Sequence, residues 1–281
     1  MTSLLSTADR LRTEGRLHEA TEAYSKLLEA EPTNKMAARF ANSVNLMPPA
    51  TRMAHQEGYE LAPFVLKTDF LPPEIYDRFL AAFENARDSF TRGDTTRGTN
   101  LQIRRTHVIG NAESVLGVPD VEKFYECLSR FWRTTTHYFT GIDLKVESLE
   151  TQATLYLEGG FYRPHRDIGP NNTRRMTFVY YLFSEPKIFS GGDLLLYDTN
   201  IVASVEPHGI RNKASKPLIG EKYTRILPQA NSLVIFPSEF FHEVTSLESL
   251  AKSQGERFSI TGWLHTSSDE ASIEFIRNIR Y

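Results

Sequence analysis

His165 and Asp167 stand two residues apart at the end of Tyr156-Leu-Glu-Gly-Gly-Phe-Tyr-Arg-Pro-His165-Arg-Asp167. On an extended strand, side chains at that spacing point to one face. An imidazole and a carboxylate there can share one cation, and a second histidine on a neighbouring strand would complete a two-His-one-carboxylate face. Such a face leaves coordination positions open, which non-haem iron(II) needs to hold a co-substrate and dioxygen together. Zinc accepts a similar triad, so ligand types alone leave the metal open. With 8 His and 11 Asp in 281 residues, about 0.3 of a His-x-Asp pair is expected by chance, so the pair draws its weight from its neighbours.

Two neighbours add that weight. His242 follows the apolar run Ser232–Phe236, within Phe-Pro-Ser-Glu-Phe-Phe-His242-Glu-Val. Further on, Arg257, Ser259 and Thr261 alternate with Phe258 and Ile260, which puts the cation and both hydroxyls on one strand face. A guanidinium flanked by hydroxyls makes a carboxylate receptor, with a bidentate fork as its anchor.

These residues need strands to carry them. From Leu149 on, β-rich runs recur at Ala153–Leu157, Met176–Phe183, Asp193–Tyr197, Ser232–Phe236 and Arg257–Leu264, separated by Gly159-Gly160, Gly169-Pro170, Gly191-Gly192 and Pro237. Strands with no helix between them indicate a sandwich or barrel rather than βαβ units. Two amphipathic helices are expected upstream. One opens at Pro72-Pro73 with Ile75, Phe79, Phe83, Ala86 and Phe90 in phase. The other is capped by Asp120 and carries Val121, Phe124, Leu128, Phe131 and Trp132. The polar stretch 198–230 is too long for an idle loop and is a candidate substrate lid.

Residues 1–46 read as a separate helical module. Leu4, Leu5, Ala8 and Leu11 form one stripe, and Leu17, Ala20, Ala23, Tyr24, Leu27 and Leu28 a second, broken by Gly15 and stopped by Pro32. Gly15, Ala20, Tyr24 and Pro32 resemble the pattern of a tetratricopeptide repeat, and a third helix is expected over 35–46. A single copy has too little core to stand alone, so it should lean on the main domain's backing helices or on a second subunit, as in a homodimer. A linker then spans 47–59, and the remaining 60–281 form the main domain.

Composition narrows the function classes. Lys plus Arg is 32 and Asp plus Glu 35, a formal charge of −3, which argues against a nucleic-acid partner. The single cysteine, Cys127, rules out an internal disulfide and a cysteine-cluster metal site, and reads as an apolar filler. No apolar run approaches a membrane span, and residues 1–15 lack the apolar core of a signal peptide. The expectation is a cytoplasmic protein.

The sequence resembles the iron(II)- and 2-oxoglutarate-dependent dioxygenases of the prolyl-hydroxylase-like branch. Tyr156, Gly159, Tyr162, His165 and Asp167 match that family's Tyr-x-x-Gly…Tyr-x-x-His-x-Asp run. Gly191-Gly192, His242-Glu-Val and Arg257-x-x-x-Thr-x-Trp263 match its later motifs, in order, over Leu149–Leu264. The resemblance implies a mainly β fold with flanking helices, a double-stranded β-helix or jelly roll, here preceded by the small helical module. It implies His165, Asp167 and His242 as iron ligands, and Arg257, Tyr156, Tyr181 and Thr261 as contacts to 2-oxoglutarate. It also implies dioxygen as oxidant and ascorbate as a candidate reductant. Asp167 fills the carboxylate position, which favours hydroxylation over halogenation. The implied reaction is hydroxylation of an unactivated C–H bond, on a prolyl or other amino-acid unit of a peptide or protein. The alternatives are a tailoring hydroxylase acting on a small natural product, or an interaction protein on the same fold. The gap between His242 and Arg257 is longer than the family's usual one, and Leu247–Gly255 is expected to be a solvent loop. His18, His55, His107, His137, His208 and His265 read as ordinary surface or core histidines. Tyr162, Arg163 and Arg166 flank the site, Trp263 borders it, and Arg174-Arg175 read as a solvated turn.

Overall fold

The computed structural model describes residues 4–34, 37, 40, 59–93, 100–140, 145–168, 173–200, 218–250 and 255–266. Four helices are seen among them: α1 (Leu4–Thr13), α2 (Leu17–Ala30), α3 (Pro73–Asn85) and α4 (Val118–Thr140). The strands, in chain order, begin with β1 (Tyr59–Glu60), β2 (Val65–Lys67), β3 (Thr91–Arg92), β4 (Arg104–Arg105) and β5 (His107–Ile109). They continue with β6 (Ser148–Tyr156), β7 (Phe161–His165), β8 (Arg174–Leu182), β9 (Phe189–Gly191) and β10 (Leu194–Asn200). The last are β11 (Leu218–Ile226), β12 (Leu233–Pro237), β13 (His242–Val244), β14 (Leu247–Ser249) and β15 (Arg257–His265).

Every pairing is antiparallel, and the strands make two main sheets. One runs β2-β12-β8-β15-β6-β5-β3; the other runs β1-β10-β13-β7-β4, with β11 also on β10. This is the mainly β, helix-flanked jelly roll that the resemblance implied. Alternation sorts the residues of the larger sheet. Phe178, Tyr180 and Phe258 face α3 and α4, whose Phe79, Phe83 and Phe124 rings meet them at 5.4–6.5 Å. Thr177, Val179, Tyr181, Arg257, Ser259 and Thr261 therefore point the other way, toward the smaller sheet. The expected backing helices are present, with α3 opened by a proline at its first turn, while α4 starts at Val118, so Asp120 lies inside its first turn instead of capping it.

Three expectations about the strand-rich part are corrected. Leu247–Gly255 is not simply a solvent loop: Leu247–Ser249 is β14, paired with β9, and Leu247 is fully buried because it is apolar and sits against Gly191. Gly191 is held at φ +67, and a Cβ there would stand 2.0 Å from the Ser246 carbonyl oxygen, so only glycine lets these two chains meet. Likewise 198–230 is not all lid, since Leu218–Ile226 is β11, zipped to β10; 201–217 lies outside the described residues. Arg174 and Arg175 open β8 rather than forming a turn.

Among the described residues, the helix pair is held to β10 and β11 rather than to the backing helices. Arg12, fully buried on α1, bonds both oxygens of Asp198 at 3.0 and 2.9 Å and the Thr224 hydroxyl at 3.1 Å. Asp9 accepts from the Tyr24 hydroxyl at 2.6 Å and from Lys222 at 2.5 Å. Leu17, Tyr24 and Leu27 are buried as expected, and Tyr24 meets Phe40, which in turn meets Phe64. Apart from Ala37, Phe40 and Tyr59, the expected third helix (35–46) and linker (47–59) lie outside the described residues, as do His55 and His208.

Candidate active site

His165 ends β7 and His242 opens β13, and the two are direct partners in the ladder. The next pairing is Val244 with Tyr162, so β7 carries one extra residue between the two pairs. This bulge lets Tyr162 and His165 share the inner face while Arg163 and Pro164 both turn to solvent. Asp167 follows β7 and is anchored to the opposite sheet. Its amide donates to the Ser238 carbonyl at 3.0 Å, and Thr177 donates its hydroxyl to Oδ2 at 2.8 Å. Ser238 Oγ lies 2.9 Å from the same Thr177 hydroxyl.

The three side chains converge. Their ligand atoms all lie within 4.8 Å of one another, with His165 Nε2 3.6 Å from Asp167 Oδ1 and His242 Nε2 3.4 Å from Oδ2. Each imidazole is oriented from behind: Nδ1 of His165 faces the Arg163 carbonyl at 2.8 Å and Nδ1 of His242 the Phe240 carbonyl at 3.1 Å. A carbonyl can only accept, so each Nδ1 carries the proton and each Nε2 keeps a lone pair for a cation. Burial, reinforced by His242, pushes His165 down to about 3, which keeps it neutral. Burial pushes Asp167 up, but the histidines outweigh it and hold the carboxyl below its ordinary range. A set of two imidazole nitrogens and one carboxylate oxygen fits iron(II) and supports the triad.

Arg257 lies at the start of β15, opposite Tyr156 on β6. It is 1% exposed, and its guanidinium is flanked by the Tyr156 ring at 4.5 Å and the Tyr181 ring at 4.9 Å. Nε and Nη1 are buried and meet no acceptor among the described residues, and neither does the Ser259 hydroxyl beside them. A buried guanidinium with idle N–H groups is costly unless an anion completes it, so the donor set fits a carboxylate of 2-oxoglutarate. Gly192 helps clear the space, since a Cβ there would lie 3.3 Å from Arg257 Nε. Burial raises both Tyr156 and Tyr181, although Arg257 opposes it, so both remain neutral hydroxyl donors. Thr261 lies on the same face of β15 four residues on, opposite Gln152 and Val179, a strand distance of roughly 13 Å from Arg257.

The surroundings bring in Tyr162, expected at the flank of the site, and add Arg104 and Phe236, which the sequence did not single out. Tyr162 stacks on His165 at 3.6 Å and 17°, and Arg104 lies over the far ring at 4.9 Å. Arg104 is held by Thr106 and Gln152, both at 2.7 Å. Phe236 meets His242 edge-on at 4.8 Å. Trp263 pairs in the sheet with Thr177, the residue that holds Asp167, and Arg174 is laid over its ring at 3.9 Å and gripped by Glu150. No helix among the described residues is long and apolar enough to cross a membrane.

Residues 151–265 match the 2OG-Fe(II) oxygenase superfamily. The chain is 28% identical over 200 residues to an uncharacterized PKHD-type hydroxylase of Synechocystis sp.; the match covers 70% of this chain and 61% of that protein. In fold it is similar to a prolyl hydroxylase of Trichoplax adhaerens, solved with a hypoxia inducible factor peptide fragment, with TM-score 0.54, 19% identity, and 76% and 86% of the two chains covered. It is also similar to a Pseudomonas putida prolyl-4-hydroxylase, with TM-score 0.50, 23% identity, and 73% and 93% covered. The matched stretch holds all three convergent ligands and the buried arginine, and residues 151–265 are thus a 2OG-Fe(II) oxygenase domain.

Proposed function

We propose that the protein is an iron(II)- and 2-oxoglutarate-dependent hydroxylase acting on a prolyl or other amino-acid unit of a peptide or protein. The observation that carries this reading is the pairing of a three-ligand metal face with a buried arginine whose Nε and Nη1 meet no acceptor among the described residues. The Trichoplax relative, solved with a peptide, supports the substrate class.

His165, Asp167 and His242 would hold the iron, and Arg257, with Tyr156, Tyr181 and Thr261, would hold 2-oxoglutarate. When bound, these two supply the oxidising power that turns a C–H bond into C–OH with dioxygen, releasing succinate and carbon dioxide. The chain's own work is placement. The Arg163 and Phe240 carbonyls fix the imidazole tautomers, Thr177 fixes the carboxylate, and the Tyr156–Arg257–Tyr181 sandwich fixes the depth of the co-substrate. Tyr162 and Phe236 pack their rings against the two histidines, which limits water behind the metal face. The test is succinate formation by the full chain with iron(II), 2-oxoglutarate and air, with ascorbate as reductant. Slow turnover without substrate is expected, none without iron, and a peptide screen by mass spectrometry should find products heavier by one oxygen. Iron-loaded protein that forms no succinate would overturn the reading.

A further inference from the structure

The geometry points to a docking strip for an acidic stretch of the substrate polypeptide, on the outer face of the sheet that carries the two histidines. This rests on the reading of the substrate as a peptide or protein. The bulge in β7 turns Arg163 outward, and the β4–β7 pairing sets Arg105 opposite Phe161 on the same side. The Arg105 and Arg163 guanidiniums lie over the Phe161 ring at 5.8 and 4.7 Å. Arg166, between His165 and Asp167 just past the end of β7, lies over Phe241 at 5.1 Å. No carboxylate pairs with any of the three among the described residues. Gly159 leaves room for Arg105, whose Nη1 would stand 3.3 Å from a Cβ there.

Arg105, Phe161 and Arg163 line a cleft of about 320 Å³ with Glu243, Thr245 and Ser246. Glu243 is the one acid in that lining, and it accepts from the Tyr197 hydroxyl at 2.8 Å. Guanidiniums parked on rings keep their N–H edges free for carboxylates and lose little side-chain freedom on binding them. The same parking disfavours nucleic acid, because the ring faces that bases would stack on are already covered.

The probe is a fluorescein-labelled peptide with one proline flanked by Asp and Glu, read by fluorescence polarisation on the full iron-loaded chain. A lysine-for-acid peptide and a single-stranded RNA of equal charge serve as controls. The acidic peptide should bind best and weaken with salt. Arg105→Glu should weaken it about fivefold or more, while Arg105→Lys keeps most of the binding. Succinate formation without peptide should be unchanged in Arg105→Glu. Equal binding of acidic and lysine peptides, tighter binding of RNA, or an unaffected Arg105→Glu would each overturn the strip. Absence of succinate from the wild-type protein would instead overturn the enzymatic reading.

Discussion

Thr177 donates its hydroxyl proton to Asp167 Oδ2 across 2.8 Å, so the acidic ligand carried after β7 is aimed by β8 of the opposite sheet. The metal face is therefore assembled by closing the two sheets, and it loses its geometry if they part. Removing Thr177's hydroxyl should leave the fold and Asp167 in place but free the carboxylate to rotate. Thr177→Val should weaken iron(II) affinity roughly 10- to 100-fold, as losses behind a metal ligand do. Titration with iron under anaerobic conditions checks it; wild-type affinity would show that Ser238 alone suffices.

His165→Ala, His242→Ala and Asp167→Ala should each abolish iron-dependent succinate formation with circular dichroism unchanged. Losing one of three ligands collapses the facial site. Full activity in any of them would remove that residue from the triad.

Arg257→Ala should weaken 2-oxoglutarate binding roughly 100-fold or more, since charge-assisted hydrogen bonds contribute about 1.5–3 kcal/mol each. Arg257→Lys should recover part, having the charge without the planar fork. The measurement is the KM for 2-oxoglutarate, which should rise in both variants and more in the first.

Arg12→Met should destabilise the protein by about 3–5 kcal/mol in urea unfolding, because it leaves Asp198 buried without its cation. The double variant Arg12→Met/Asp198→Leu should regain much of that. A cost under about 1 kcal/mol for Arg12→Met would mean that the helix pair contributes little to the fold.

Asp9 gives that contact a pH dependence. Burial raises its pKa, but Lys222, Tyr24 and Arg12 together bring it below the ordinary carboxylate value. A carboxyl lowered on folding contributes stability that is full above its unfolded pKa and is lost as pH falls through the folded value. Wild type should therefore lose its advantage over Asp9→Asn as pH drops below about 4. An advantage that grows on acidification would contradict the assignment.

The residue types of the metal face were legible because chemistry demands them, but Asp167 lies just past the end of β7, so plain strand alternation does not account for its place; the face shared by Arg257, Ser259 and Thr261 on β15 does follow alternation. The larger sheet was legible for the same reason: Phe178, Tyr180 and Phe258 alternate with Thr177, Val179 and Arg257. Thr177's role was not, since a hydroxyl on a strand has no spacing that separates support from packing. Nor was the bulge at Arg163, because plain alternation would have set Tyr162 and His165 on opposite faces. β14 is too short to show a period, and its pairing with β9 depends on a glycine contact distant in sequence. The helix pair's stripe was visible, but its attachment runs through Arg12 and Asp9, charged positions that pattern reading assigns to solvent.

The Arg12–Asp198 clamp spans 186 positions of the chain. At about 5–20 residues per second, the ribosome delivers Asp198 some 10–40 s after Arg12. The helix pair thus emerges long before the strands it docks on, with its guanidinium unmatched. Its docking is consequently a late step of biogenesis, taken only once β10 and β11 have left the exit tunnel.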